Sequence, residues 1–141
     1  MNTTNAIKKL VSFALTNKTN VNKIVSLGLI TPKEAIILKA KTGFSLEGYE
    51  RVIDIFSIKH TLKNHGNEKA EKLRGQIAVT ESDFEKIPDI IKSENVIFTG
   101  KNKQGKTCLL YEAKLGNTYY YIEEIRTGRK NLMLNTLYKR K

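Results

Sequence analysis

The apolar pattern of the chain changes its period between the two halves. From residue 95 onward, apolar and β-branched side chains alternate with polar ones in four segments, at 96–98, 107–115, 118–126 and 131–138. Alternation with a period of two predicts β-strands. Each gap between the segments is short and contains glycine. Short gaps join antiparallel neighbours, so the second half predicts a four-stranded antiparallel sheet.

The first half has helical spacing. Apolar residues recur at the spacing of one helix face over 6–14 and again from Tyr49 through Phe56 to His65. Thr31-Pro32-Lys33-Glu34 has the form of a helix start with a capping box. Gly66 suits the left-handed residue just past a helix end. Helices that precede an antiparallel sheet predict an α+β fold.

The charge of the chain predicts an anionic partner. Lys and Arg number 25 against 14 Asp and Glu, a formal net charge of +11. Such an excess repels itself in a compact body unless an anion is bound. Nucleic acid is the commonest partner of this kind. An anionic membrane surface, an acidic protein inhibitor and a merely solvated surface are the alternatives.

Cysteine and histidine usage narrows the class of protein further. Cys108 is the one cysteine, so no internal disulfide can form, and a reducing compartment such as the cytoplasm is expected. Its apolar surroundings favour packing. Two histidines without a cysteine cluster disfavour a zinc site. Lysines interrupt the apolar N-terminal segment, so neither a signal peptide nor a membrane span is expected there.

The two histidines are the first candidates for chemistry. His60 and His65 are five positions apart, about 140° around an ideal helix, so they share a face only if the helix ends between them. Imidazoles exchange protons near neutral pH, which suits the base and the acid of metal-independent RNA cleavage. Cations then stabilise the charged phosphorane, and Lys59, Arg126, Arg129 and Lys130 are candidates. The structural alternative is that both imidazoles simply cap a helix end.

Thr136 and Tyr138 are the candidates in the last strand. They are two positions apart, so both side chains project from one face of the sheet. Threonine can donate to a phosphate oxygen, and tyrosine can stack on a base or donate its hydroxyl. Leu132 and Leu134 are expected on the same face, which favours packing unless the strand end opens onto a cleft.

Several of these segments together resemble a known family. The stretch from residue 42 to the end is similar to phage-associated nucleases of the barnase–EndoU–colicin E5/D–RelE-like (BECR) superfamily. Its most specific parts are the block His60-x4-His65-Gly66 and the terminal Thr136-Leu137-Tyr138. The other matching parts are Thr42-Gly43-Phe44, Gly48-Tyr49, Ile58-Lys59, Arg74-Gly75-Gln76, Ile87-Pro88 and Ile90.

The resemblance implies a fold, a domain division and a site. It implies a BECR-like nuclease domain over 43–141, preceded by an N-terminal helical accessory segment over 1–42. It assigns catalytic roles to His60, His65, Thr136 and Tyr138. Lys59, Arg126 and Lys130 are then the substrate-binding cations, with no metal and no cofactor. The resemblance also implies a lysine, because the EndoU branch of the superfamily uses one. Lys106, Lys114 and Lys130 are all possible counterparts, and the sequence does not choose between them.

We therefore expect a metal-independent endoribonuclease of the RNase-toxin type, with tRNA as one candidate substrate. His60 is the expected base and His65 the expected acid, and the reverse assignment stays open. Phage association and an acidic immunity or antitoxin protein are expected, a membrane partner is not. A non-catalytic nucleic-acid-binding module of a phage or mobile element would explain the charge and the tyrosines equally well, and a domain that holds an acidic protein is a third hypothesis.

Overall fold

The computed structural model describes residues 3–16 and 22–141. The remaining residues of the predicted accessory segment, 1–2 and 17–21, lie outside the described part. Helix α1 (Thr3–Thr16) is followed by strand β1 (Ile24–Leu29), helix α2 (Pro32–Thr42) and strand β2 (Glu50–Asp54). Helices α3 (Ile55–His65) and α4 (Glu68–Leu73), a 3-10 turn over Glu81–Lys86 and the short helix α5 (Ile87–Ile90) come next. The chain ends with β3 (Val96–Lys101), β4 (Thr107–Leu115), β5 (Asn117–Arg126) and β6 (Asn131–Arg140).

The α+β prediction is confirmed, but the sheet is larger than predicted. It has six strands in the order β1-β2-β6-β5-β4-β3. The four predicted strands form the antiparallel part, and β2 joins β6 in parallel, with β1 antiparallel beyond it. The four-stranded count was therefore wrong, and the sheet is mixed.

The two missed strands lie in the half with helical spacing. Residues 49–65 were expected to be helical, with or without a break before His60, yet β2 occupies the first part and α3 begins only at Ile55. Four consecutive residues of β2, from Arg51 to Asp54, are buried. Only Val52 and Ile53 among them are apolar, and the periodicity of so short a run does not distinguish a strand from a helix.

Of the predicted signals at helix ends, the capping box at the start of α2 is confirmed and the left-handed conformation of Gly66 is wrong. Thr31 and Glu34 form the predicted capping box of α2, and Gly43 ends that helix in the left-handed conformation at φ 83°. Gly66 has an ordinary φ of −96° after α3. A Cβ at Gly66 would lie 2.4 Å from the Leu62 carbonyl oxygen, so close approach, not handedness, requires glycine there.

One core joins the N-terminal elements to the rest of the sheet. Ile7, Leu10 and Val11 of α1 pack in the same buried cluster as Ile58 of α3 and Leu137 of β6. The opposite face of the antiparallel strands is not covered by these helices. It carries the residues described next.

Candidate active site

Helix α3 lies beside the last strand because β2 is short. The parallel pairing of β2 covers only residues 131–133 of β6, and α3 starts where that pairing stops. Asp54 fixes the start of α3, because its Oδ1 accepts from Ser57 N at 2.8 Å and from Ser57 Oγ at 2.7 Å. Helix α3 therefore packs along the second half of β6, and its polar residues reach the uncovered side of the sheet.

A cleft of about 680 Å³ opens beside the first turns of α3. His60 and Phe56 line it from α3, and Lys106, Arg126 and Arg129 line it from the β3–β4 and β5–β6 ends of the sheet. The three cations outnumber the two carboxylates that also line the cleft, so the lining favours an anionic group such as a phosphate. His60 and Arg126, which were predicted separately, are thus brought together.

Glu124 holds the Arg126 side chain at the cleft wall. Its Oε2 accepts from Arg126 Nε at 2.5 Å, and its Oε1 accepts from Asn102 Nδ2 at 2.6 Å. Asn102 Nδ2 also lies 3.4 Å from Asn135 Oδ1. The guanidinium is thereby oriented by a carboxylate that is itself anchored, and its remaining N–H donors stay available to a ligand.

The His60 ring is exposed to the cleft. Asn64, one turn later on α3, donates through Nδ2 to the His60 carbonyl oxygen at 2.8 Å and lies 3.3 Å from the ring Nδ1. An exposed imidazole that lines a cationic cleft can exchange protons with a bound ligand.

His65 is held by a buried carboxylate. Its Nδ1 lies 3.1 Å from Glu71 Oε2, and Glu71, on α4, is fully buried and also paired with Arg74. A carboxylate paired with arginine accepts hydrogen bonds, so Nδ1 is assigned as the donor of this contact and Nε2 is the ring nitrogen left to face other groups. His65 is not among the residues that line the cleft.

His65 also belongs to a stack of three rings. Its ring centroid lies 5.4 Å from that of Tyr138, and the Tyr138 centroid lies 4.8 Å from that of Tyr120. Because β6 runs between β5 and α3, Tyr138 is contacted by Tyr120 on one side and by His65 on the other. Burial raises the pKa of the Tyr138 phenol, so its hydroxyl remains a hydrogen-bond donor at neutral pH.

A bulge in β6 decides which way Thr136 points. Leu134 pairs with Glu123 and Thr136 pairs with Ile122, which leaves Asn135 as the extra residue. Leu132 and Leu134 therefore face the core, while Thr136 and Tyr138 face the uncovered side, so the expectation that all four share a face was wrong. The Thr136 hydroxyl is covered and has no hydrogen-bond partner in the described residues.

The cleft and the ring stack lie on the same face of the sheet. Tyr120 and Glu124 are four residues apart on β5 and project from one face, about 13 Å along the strand. His60 and His65 both lie within α3, separated by roughly 7.5 Å along its axis and about 140° around it. The helix does not end between them, as a shared helix face would require. His60 lines the cleft, whereas His65 contacts the ring stack.

The other predicted cations lie at its margin. Lys130 is exposed in the β5–β6 turn at φ 50°, and Lys59 is half-buried on α3. Neither lines the cleft. Of the three candidates for the EndoU lysine, Lys106 is the one that does.

Sequence reasoning missed Phe56, Glu71 and Glu124 as residues of the candidate site. Phe56 precedes His60 by four positions, a spacing that puts both on one helix face, so a signal existed. The roles of Glu71 and Glu124 depend on side-chain contacts that have no local signature.

The described residues, 3–16 and 22–141, lack two further features. No group of three or more His, Cys, Asp or Glu side chains there is arranged to hold a metal ion. No described helix has both the length and the apolar character needed to cross a membrane.

Comparison with known proteins supplies the family. Residues 29–141 match the family described as phage-Barnase-EndoU-ColicinE5/D-RelE like nuclease3. No curated protein and no solved structure is significantly similar to the chain. The match begins before the predicted boundary at residue 43 and covers most of the chain, including His60, His65 and the final strand. The chain therefore belongs to this family of BECR-like nucleases.

Proposed function

We propose that the protein is a metal-independent endoribonuclease that cleaves RNA by attack of the 2′-hydroxyl on the adjacent phosphate. The new bond joins O2′ to phosphorus, and the bond from phosphorus to the 5′-oxygen breaks. The products are a 2′,3′-cyclic phosphate and a free 5′-hydroxyl. Transfer RNA is a candidate substrate, and a phage or toxin setting in a bacterial cytoplasm is the expected context.

One observation carries the proposal. An exposed imidazole, His60, lies in a cleft with three cations, beside a second imidazole on the same face of the sheet. The reaction needs two proton-transfer groups and positive charge near one phosphate, and the proposal assigns these roles to His60, to His65 and to the cations of the cleft. The family match supports a nuclease in general.

The roles follow from the environments of the two rings. His60 removes the 2′-hydroxyl proton, and His65 protonates the leaving 5′-oxygen through Nε2. Glu71 stabilises a positively charged His65 ring, which suits the acid, as a carboxylate does in a serine-protease triad. Arg126 and Lys106 stabilise the phosphorane, with Lys59 and Lys130 binding more distant phosphates.

The final strand supports the two histidines in this proposal. Tyr138 positions the His65 ring by stacking against it. Thr136 is proposed to donate to the scissile phosphate. Because its hydroxyl is covered in the free protein, this contact requires a local opening when RNA binds.

The first prediction concerns catalysis. His60→Ala and His65→Ala should each lower tRNA cleavage in EDTA by about 100-fold or more, the usual contribution of a general acid or base. Wild-type products should carry 2′,3′-cyclic phosphate ends. Arg126→Ala should also slow cleavage, whereas Lys9→Ala, which removes one exposed charge on α1 outside the cleft, should not.

Cleavage rates are measured on variants whose folding is checked by circular dichroism. Full activity of both histidine variants would overturn the proposed mechanism. Salt-sensitive RNA binding without any product from the wild-type protein would support the non-catalytic binding module instead. Capture of an acidic neighbour without RNA binding would favour an inhibitor-binding or protein-binding role.

A further inference from the structure

Phe56 is an exposed aromatic ring at the mouth of the cleft. It is the second residue of α3 and precedes His60 by four positions, so the two side chains are neighbours on one helix face. Both line the same cleft as Arg126. The Phe56 side chain is 47% exposed.

The exposure of Phe56 is not needed to build the helix. The flanking apolar residues of α3, Ile55 and Ile58, are fully buried in the core. The Phe56 side chain instead projects away from the apolar side of the helix and lies among polar and cationic groups. Within the described part of the chain, its ring has no aromatic or cationic contact. A ring face is therefore available to a ligand.

The tyrosines of the same surface do not offer an equivalent ring. Tyr138 is contacted by Tyr120 and by His65. Tyr120 also has the Arg140 guanidinium 5.4 Å from its ring centroid. These rings are already packed against one another, whereas Phe56 has an exposed ring in the cleft itself.

We infer that Phe56 forms a base-binding subsite, in which its ring stacks on the nucleobase next to the phosphate held by His60 and Arg126. The inference rests on the proposed function and names its substrate class as single-stranded RNA. Stacking on phenylalanine involves the π-face, which every base has. It does not involve the hydrogen-bonding edges that distinguish one base from another. The subsite therefore requires an unpaired base and tolerates any of the four.

The test distinguishes binding through base stacking from binding through the charge of the nucleic-acid backbone. The probe is a short single-stranded oligonucleotide with 2′-O-methyl riboses, which lacks the attacking hydroxyl and stays intact. A second probe has the same backbone with abasic positions. Phe98, 48% exposed on the edge strand β3 and outside the cleft, provides the matched control.

Phe56→Leu should bind the base-bearing probe about tenfold or more weakly than wild type, and the abasic probe with unchanged affinity. Phe98→Leu should match the wild type on both probes. The chain contains no tryptophan, so Phe56→Trp introduces a single fluorophore. Its emission should be quenched by the base-bearing probe and not by the abasic one.

The outcomes distinguish the subsite from the catalytic proposal. Equal affinities of Phe56→Leu and Phe98→Leu for the base-bearing probe, with RNA cleavage intact, would overturn the subsite and leave the nuclease. Quenching and weakened binding without any RNA cleavage by the wild-type protein would support the subsite and remove the catalytic role. Equal loss on both probes would show a charge or folding effect and would also overturn the subsite.

Discussion

At the scale of single residues, two buried carboxylates hold side chains of the candidate site. Glu71 fixes His65, and Glu124 fixes Arg126. Neither carboxylate is proposed to touch the substrate. Each carboxylate limits the orientations of its partner, the His65 ring or the Arg126 side chain. The partner therefore loses less conformational entropy when the substrate binds.

Glu71→Gln should lower kcat for RNA cleavage by at least about tenfold, with little change in KM, because the His65 ring loses the partner that fixes its tautomer and stabilises its charged form. In its neutral form, the His65 ring should show the 15N chemical shifts of an Nδ1–H tautomer in wild type and those of a tautomer mixture in the variant. Glu68→Gln, on the same helix and exposed, is the control. An unchanged ring spectrum in Glu71→Gln would contradict the positioning role.

At the scale of elements, the end of α3 and the bulge in β6 bring His65 and Tyr138 together. The bulge at Asn135 shifts Thr136 and Tyr138 to the uncovered face. The helix ends at His65, where the Gly66 N–H donates to the Leu62 carbonyl oxygen at 2.9 Å. The geometry of the stack therefore depends on a tight backbone approach just past the helix.

Gly66→Ala should destabilise the protein by about 1–3 kcal/mol, since a Cβ at 2.4 Å from the Leu62 carbonyl oxygen forces the backbone to shift. The shift should move His65 and lower cleavage as well. Gly128→Ala, where an added Cβ meets nothing within 4 Å, should leave the free energy of unfolding unchanged or slightly raised. Urea unfolding measures both variants, and equal stabilities would refute the steric argument.

At the scale of the whole molecule, buried polar clusters join parts of the chain that are far apart in sequence. Arg51 of β2 donates to Glu123 at 3.0 Å and to Tyr111 at 2.9 Å. In a second cluster, Asp83 of the 3-10 turn accepts from Lys139 of β6 and from Tyr119 of β5. These contacts lie on the core face of the sheet. They connect the N-terminal elements and the 3-10 turn to the strands that carry the candidate site.

Asp83 makes a pH-dependent contribution to stability. Burial raises the pKa of its carboxyl, but the hydrogen bonds from Lys139, from the Thr80 N–H and from Tyr119 outweigh burial, so the pKa is lowered overall. A lowered folded-state pKa means that the stabilisation is complete above about pH 4, the ordinary range of aspartate, and is lost as the pH falls through the folded-state value.

Asp83→Asn should therefore lower the free energy of unfolding near neutral pH by about 3 kcal/mol, because Lys139 is left buried without its charge partner. The difference from wild type should shrink as the pH falls well below the ordinary aspartate range. The exposed Asp89→Asn should show neither effect. Thermal or urea unfolding over a pH series measures this, and a constant difference across the series would contradict it.

Several features of the fold could be predicted from the sequence because their causes are local. The four strands after residue 95 follow from alternation and glycine turns, and the start of α2 follows from Thr31 and Glu34. The candidate histidines and the last strand were identified from residue types and from family resemblance. Their roles remain predictions.

The tertiary structure alone decided the rest, because the interactions responsible are distant in the chain. Strand β2 is a strand because it pairs with β1 and β6 and is buried on both faces, which overrides its helical spacing. The same parallel pairing stops early and places α3 against β6, so His60 meets the cations of the β3–β4 and β5–β6 ends only in the folded chain. Sequence supplied the reactive groups, and non-local pairing determined which of them are neighbours.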